Sequence, residues 1–148
     1  MTKTKIAAVI PARMSSSRYP GKPLIDIRGL PMIEHVRRRT LMCDGFSDVV
    51  VATCDLEIFD SVKKFGGKVM MTSPDHIMGS DRVAEVAQIL DCTHVVNVQG
   101  DEILTLPQDL SLMIKAIKDY PSFPYWCSTA IVNNKDELSD TNIVKCVV

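Results

Sequence analysis

Four short runs, most of them apolar throughout rather than alternating as a half-exposed strand does, limit the possible folds of this chain more than any other feature. They are Ile6-Ala7-Ala8-Val9-Ile10, Val49-Val50-Val51-Ala52, Val69-Met70-Met71 and His94-Val95-Val96-Asn97-Val98. Too short for helices and weighted toward β-branched residues, they read as strands covered on both faces, as in a parallel sheet. Helix-period segments separate them. Met32, Ile33, Val36 and Thr40 make one apolar face after Pro31, a residue suited to a first helical turn. Ile58, Val62 and Phe65 make a second, which Gly66-Gly67 ends. From Ser80, read as an N-cap, Val83, Val86, Ala87 and Leu90 keep the i, i+3, i+4, i+7 spacing, and Leu110, Met113, Ile114 and Ile117 keep it again.

The order is β-α-β-α-β-α-β-α, followed by an expected strand near Trp126 to Val132. With right-handed crossovers this predicts an α/β fold, a doubly wound, mostly parallel sheet with helices on both faces. Ligands in such folds bind beyond the carboxyl ends of the strands. At 148 residues the chain is expected to form a single domain over 1–148. It finishes on the strand-like Ile143-Val144-Lys145-Cys146-Val147-Val148 with no polar tail, so it is read as stopping in mid-domain, the N-terminal part of a longer unit.

Charge and cysteine usage narrow the function classes. Lys and Arg number 17 against 18 acids, a net charge of −1, so no global field draws the protein to nucleic acid or an anionic membrane. No stretch approaches the roughly 20 apolar residues of a membrane span. The run at Ile6 to Ile10 ends at Pro11 and Arg13, too soon for a signal peptide. Five cysteines at 43, 54, 92, 127 and 146 form no C-x-x-C pair and suit neither a disulfide framework nor a zinc knuckle. Reduced thiols in a cytoplasmic protein are expected.

Three loops carry chemistry. Pro11-Ala12-Arg13-Met14-Ser15-Ser16-Ser17-Arg18-Tyr19-Pro20-Gly21-Lys22-Pro23 follows the first strand, and its Ser, Gly and Pro residues free backbone N–H groups for a ligand. Arg13, Arg18 and Lys22 can pair with several phosphate oxygens at once, which suits a triphosphate. It is neither a Walker A loop, having Ser16 and Pro23 where glycine and Ser or Thr belong, nor a G-x-G-x-x-G turn. A solvated surface loop is the alternative; the position at the carboxyl end of the first strand favours the nucleotide. In Val96-Asn97-Val98-Gln99-Gly100-Asp101-Glu102 a strand runs into two acids. Asp101 reads either as a Mg²⁺ carboxylate facing that loop or as a turn or N-cap aspartate, and Glu102 as exposed. In the third loop, Met71 to Arg82, Ser80 and Asp81 read as a helix start. Arg82 reads as a helix-surface arginine or a phosphate or pyrimidine contact, and His76 as a loop histidine without metal-ligand spacing.

Together these segments resemble the acidic-sugar cytidylyltransferases of the 3-deoxy-manno-octulosonate cytidylyltransferase (CMP-KDO synthetase) family. The likeness rests on Ile10-Pro11-Ala12-Arg13, Ser16-Ser17-Arg18-Tyr19-Pro20-Gly21-Lys22-Pro23-Leu24, Gly29-Leu30-Pro31-Met32-Ile33, Val51-Ala52-Thr53, Phe65-Gly66-Gly67, Met71-Thr72-Ser73, Gly79-Ser80-Asp81-Arg82 and Val96 to Glu102, in the family's order. It implies a nucleotide-diphospho-sugar transferase-like fold and transfer of CMP from CTP to a 2-keto-3-deoxy acidic sugar, with pyrophosphate released, for lipopolysaccharide or surface polysaccharide synthesis. By the same resemblance Arg13, Ser16, Arg18 and Lys22 bind the CTP phosphates, Ala12 and Gly79 to Arg82, with Ser80 among them, help hold the nucleotide, and Gln99 contacts the sugar side. Lys22 and Asp101 are catalytic, Asp101 carries Mg²⁺, and a homodimer forms through the complete chain. The sequence departs from the family at Cys54, where a second acid is usual, at Ile103 in place of proline, and at Met78 in place of serine. A non-catalytic nucleotide-binding module, or transfer to another sugar, are the competing expectations.

Overall fold

A computed structural model describes residues 3–15, 19–141, 143 and 145. The four apolar runs form one parallel sheet: β1 (Ile6–Pro11), β4 (Asp48–Thr53), β5 (Lys68–Met71) and β6 (His94–Asn97). Their spatial order is β5-β4-β1-β6. Helices α1 (Met32–Leu41), α2 (Leu56–Lys64), α3 (Gly79–Ala87) and α4 (Pro107–Asp119) connect or follow the strands. The chain builds outward from β1 to β4 and β5, then crosses back through α3 to place β6 on the other side of β1.

Strand alternation sorts the core into two layers. Ile6, Ala8 and Ile10 of β1 join Val49 and Val51 of β4 under Ile33 and Val36 of α1, Ile58 and Val62 of α2, and Ile114 and Ile117 of α4. On the opposite face Val9, Val50 and Ala52 meet Val83 and Val86 of α3. Every residue of β1 is buried, as expected of a parallel strand with neighbours on both edges and helices on both faces. Helix α2 ends as its glycines foretell. Gly66 takes the left-handed conformation (φ 71°), and the Gly66 and Gly67 N–H groups donate to the Lys63 and Val62 carbonyls, closing a Schellman cap.

Several expectations need correction. No strand forms at Trp126 to Val132. That segment is without regular structure and mostly exposed, because a strand requires a ladder partner and no described strand lies alongside it. Trp126 instead sets its ring edge-on to His94 at 5.6 Å and packs on the core. Ser80 is not the N-cap of α3. The helix begins at Gly79 after Met78, whose N–H donates to the Asp81 carboxylate. Pro31 precedes α1 as its N-cap rather than entering its first turn. Short pieces absent from the periodicity also appear: a 3-10 turn (Lys22–Leu24), a hairpin of β2 (Asp26–Ile27) with β3 (Leu30–Pro31), and α5 (Lys135–Ser139). Helix α5 is capped by the Asn134 side chain, which accepts the Glu137 N–H. The anticipated strand from Ile143 to Val148 lies largely outside the described residues.

Among the described residues no helix is long and apolar enough to cross a membrane. Cys43, Cys54, Cys92 and Cys127 are free thiols. Burial, then Asp48 and Asp91, push the Cys92 thiol pKa up.

Candidate nucleotide site

Strands β4 and β6 leave β1 in opposite directions, so the loops after β1 and β6 diverge and open a crevice at the carboxyl edge of the sheet. This is a topological switch point, where open α/β sheets take their ligands. The crevice has a volume of about 250 Å³ and is walled by Ala12 and Arg13 after β1, Lys22 in the 3-10 turn, Gly79 and Arg82 of α3, and Gln99 to Asp101 after β6. Seven residues singled out in the sequence thus converge across three separate loops.

Each wall has a structural reason. The Ala12 N–H donates to the Ala52 carbonyl, extending the β1–β4 ladder one residue into the loop. Arg13 is exposed, and its guanidinium donates to the Ile77 carbonyl at 2.9 Å, tying the first loop to the third. Gly100 permits the narrow gap: a Cβ there would lie 2.5 Å from the Pro11 carbonyl oxygen, so any side chain would push the β6 loop off β1.

Arg82 is not a helix-surface arginine. It is 2 % exposed and donates to the Thr72 hydroxyl at 2.7 Å and the Ser73 carbonyl at 3.0 Å. A guanidinium so held is a fixed positive charge in the crevice wall. Glu85, one turn later, accepts from the Ser73 N–H at 3.0 Å and meets His76 Nε2 at 2.5 Å. Those two hydrogen bonds, the backbone one first, hold the Glu85 carboxyl below the usual carboxylate range. His76 is therefore a loop histidine with a structural partner.

Asp101 lies in the turn closed by the Glu102 N–H on the Gln99 carbonyl, well before α4 starts at Pro107. The N-cap alternative is thereby removed. Its carboxylate pairs with the Lys22 ammonium at 2.7 Å, both groups being half-exposed. An exposed pair of this kind is worth about 0–1 kcal/mol, so a polyphosphate can take Lys22 from it at little cost. Glu102 is exposed, as expected, and Gln99 donates to the Asn97 side-chain oxygen at 3.3 Å.

Ser80 is exposed on the first turn of α3 and outside the crevice wall, while Ser16 and Arg18 lie outside the described residues. Among the described residues no three His, Cys, Asp or Glu side chains cluster as a metal cage. A single accessible carboxylate nevertheless fits magnesium, which takes one or two protein oxygens and completes its shell from phosphate and water. Sequence reasoning passed over Asp55, whose carboxylate accepts the Met14 N–H at 2.8 Å. Its only sequence signal is a capping-type residue at the start of a helix, and that signal says nothing of a bond 41 positions away.

Comparison with known proteins shows the family and the fold. A family model described as cytidylyltransferase matches residues 7–148. The chain is 42% identical over 146 residues to a 3-deoxy-manno-octulosonate cytidylyltransferase from Syntrophus aciditrophicus, covering 97% of this chain and 59% of that one. It is 41% identical over 145 residues to the same enzyme from Escherichia coli, covering 98% and 58%. Among solved structures, a CMP:2-keto-3-deoxy-manno-octonic acid synthetase complexed with CTP superposes with a TM-score of 0.80 at 45% identity, over 82% of this chain and 50% of that one. A cytidylyltransferase from Leptospira borgpetersenii superposes with a TM-score of 0.69 at 25% identity, over 77% and 49%. The chain thus spans under three fifths of the curated relatives it matches. A parallel sheet with a cationic crevice at its switch point, matched by a family model over nearly its whole length, makes this chain a member of the cytidylyltransferase family.

Proposed function

We propose that this chain carries the nucleotide-gripping part of an enzyme that transfers CMP from CTP to 3-deoxy-manno-octulosonate, releasing pyrophosphate, in the cytoplasm for surface polysaccharide synthesis. The single observation that carries the reading is the meeting of Arg13, Lys22 and Arg82 with Asp101 in one crevice. The printed names of the relatives supply the nucleotide and the sugar.

The chemistry follows from charge. The anomeric hydroxyl of the sugar attacks the α-phosphorus of CTP and gives up its proton to water, the α–β phosphoanhydride breaks, and its electron pair leaves on pyrophosphate. Arg13, Ser16, Arg18 and Lys22 bind the phosphates, with the Ala12 backbone beside them. Gly79, Ser80 and the fixed Arg82 hold the nucleotide, and Gln99 faces the sugar. Lys22 moves from Asp101 to the phosphates, which frees the carboxylate for magnesium. Magnesium, when bound, supplies positive charge against the phosphate oxygens. The protein contributes alignment and preorganised charge rather than a nucleophile. A homodimer through the complete protein belongs to the same reading.

Calorimetric titration with CTP and magnesium, followed by a pyrophosphate-release assay with 3-deoxy-manno-octulosonate, tests it. CTP binding by this chain and turnover by the complete enzyme are the expected results. Binding without turnover points to a nucleotide-binding module, and turnover with UTP or a sugar phosphate points to another substrate. Arg18→Ala should weaken CTP binding by roughly 1.5–3 kcal/mol, and Asp101→Asn should abolish magnesium-dependent turnover without unfolding the chain.

A further inference from the structure

Asp55 occupies the N-cap position of α2, where a carboxylate ordinarily accepts an N–H from the first turn of its own helix. It makes no such bond. Its Oδ2 instead accepts the Met14 N–H at 2.8 Å, and the neighbouring Cys54 thiol points to the same oxygen at 3.7 Å. The direction is built in from below, because the Asp55 N–H donates to the buried Thr53 hydroxyl at 3.1 Å, holding the residue at the end of β4. A helix that forgoes its local cap in favour of a distant loop breaks a local rule, and such breaks mark functional positions.

Met14 is held on its other side too. Its carbonyl accepts the Gly21 N–H at 2.9 Å, so one residue closes the loop that runs from 14 to 21. Arg13 immediately precedes the pinned peptide and Lys22 immediately follows Gly21. The crevice cations of this loop among the described residues, Arg13 and Lys22, are therefore flanking residues of a clamp whose anchor is Asp55. We infer that Asp55 is a positioning residue for nucleotide binding: it never touches the phosphates, and it fixes where Arg13 and Lys22 leave the backbone. This inference rests on the function proposed above.

Two variants and one measurement on the unaltered protein test it. Asp55→Ser restores a helix cap but is too short to reach Met14, whereas Asp55→Asn keeps an acceptor of the same length. By calorimetry with CTP and magnesium, Asp55→Ser should bind roughly tenfold or more weakly with its thermal midpoint unchanged or raised, and Asp55→Asn should stay close to the unaltered protein. Hydrogen exchange should show the Met14 amide protected in the unaltered protein, a reading independent of how either variant folds. CTP affinity retained in Asp55→Ser, equal losses in both variants, or a rapidly exchanging Met14 amide would each overturn the positioning role while leaving the proposed function intact. If the unaltered protein binds no CTP, the function itself fails and the inference falls with it.

Discussion

The two flanks of β1 are built to different standards. On the β4 side the paired residues Val9 and Val50 or Ile10 and Val51 are buried to the last few per cent, under α1 and α2 on one face and α3 on the other. On the β6 side Val95 and Val96 are only half-buried, and a groove of about 980 Å³ lies along the strand's other edge, lined partly by Trp126 and Met113. The register to β1 is equally regular on both sides. Hydrogen bonding to one neighbour is thus enough to set a parallel strand, while full burial needs a second. The crevice meets the difference on one side: its cationic loop continues β1 and is laddered to β4 through Ala12, while its acid follows the sparsely covered β6.

The largest test of the contrast is Glu34, buried on α1 with Arg37 and Arg38 bonded to it at 2.7–2.8 Å. Burial pushes its pKa up, but the hydrogen bonds from the two arginines outweigh this and hold it below the usual range. Glu34→Ala strands the Arg37 charge and should cost about 3–5 kcal/mol in denaturant unfolding. A depressed carboxyl pKa contributes stability above its unfolded value of roughly 4, lost as pH falls through the folded value, so unfolding midpoints should drop in acid. Glu85 shares the sign, and the loop it anchors should loosen in the same window.

A matched pair measures the flanks directly. Val51→Ala on β4 should destabilise by about 2–3 kcal/mol and Val96→Ala on β6 by about 1 kcal/mol, although both side chains contact the same core layer. Equal losses would show that β6 is as well covered as β4. Gly100→Ala should cost about 1–3 kcal/mol, because the added methyl meets a carbonyl rather than a pliable side chain, and CTP affinity should fall with it. The smallest effect belongs to the Lys22–Asp101 pair, whose double-mutant cycle should give a coupling below about 1 kcal/mol. A larger value would mean the pair resists the exchange that the proposed nucleotide binding calls for.

Residue order alone was enough to place the four strands of the parallel sheet, helices α1 to α4, the Gly66 stop and the cationic, hydroxyl-rich loop after β1, because short apolar runs, the 3.6-residue period and the backbone freedom of glycine are local properties. Strand order is not local. The sheet brought Arg13, Lys22 and Asp101 to one crevice, buried Arg82, sent the Asp55 carboxylate to Met14, and left Trp126 to Val132 without a ladder partner. Each of those outcomes depends on which segments become neighbours after folding, and the energy of a side chain's contacts exists only once its partner, dozens of residues away, has arrived.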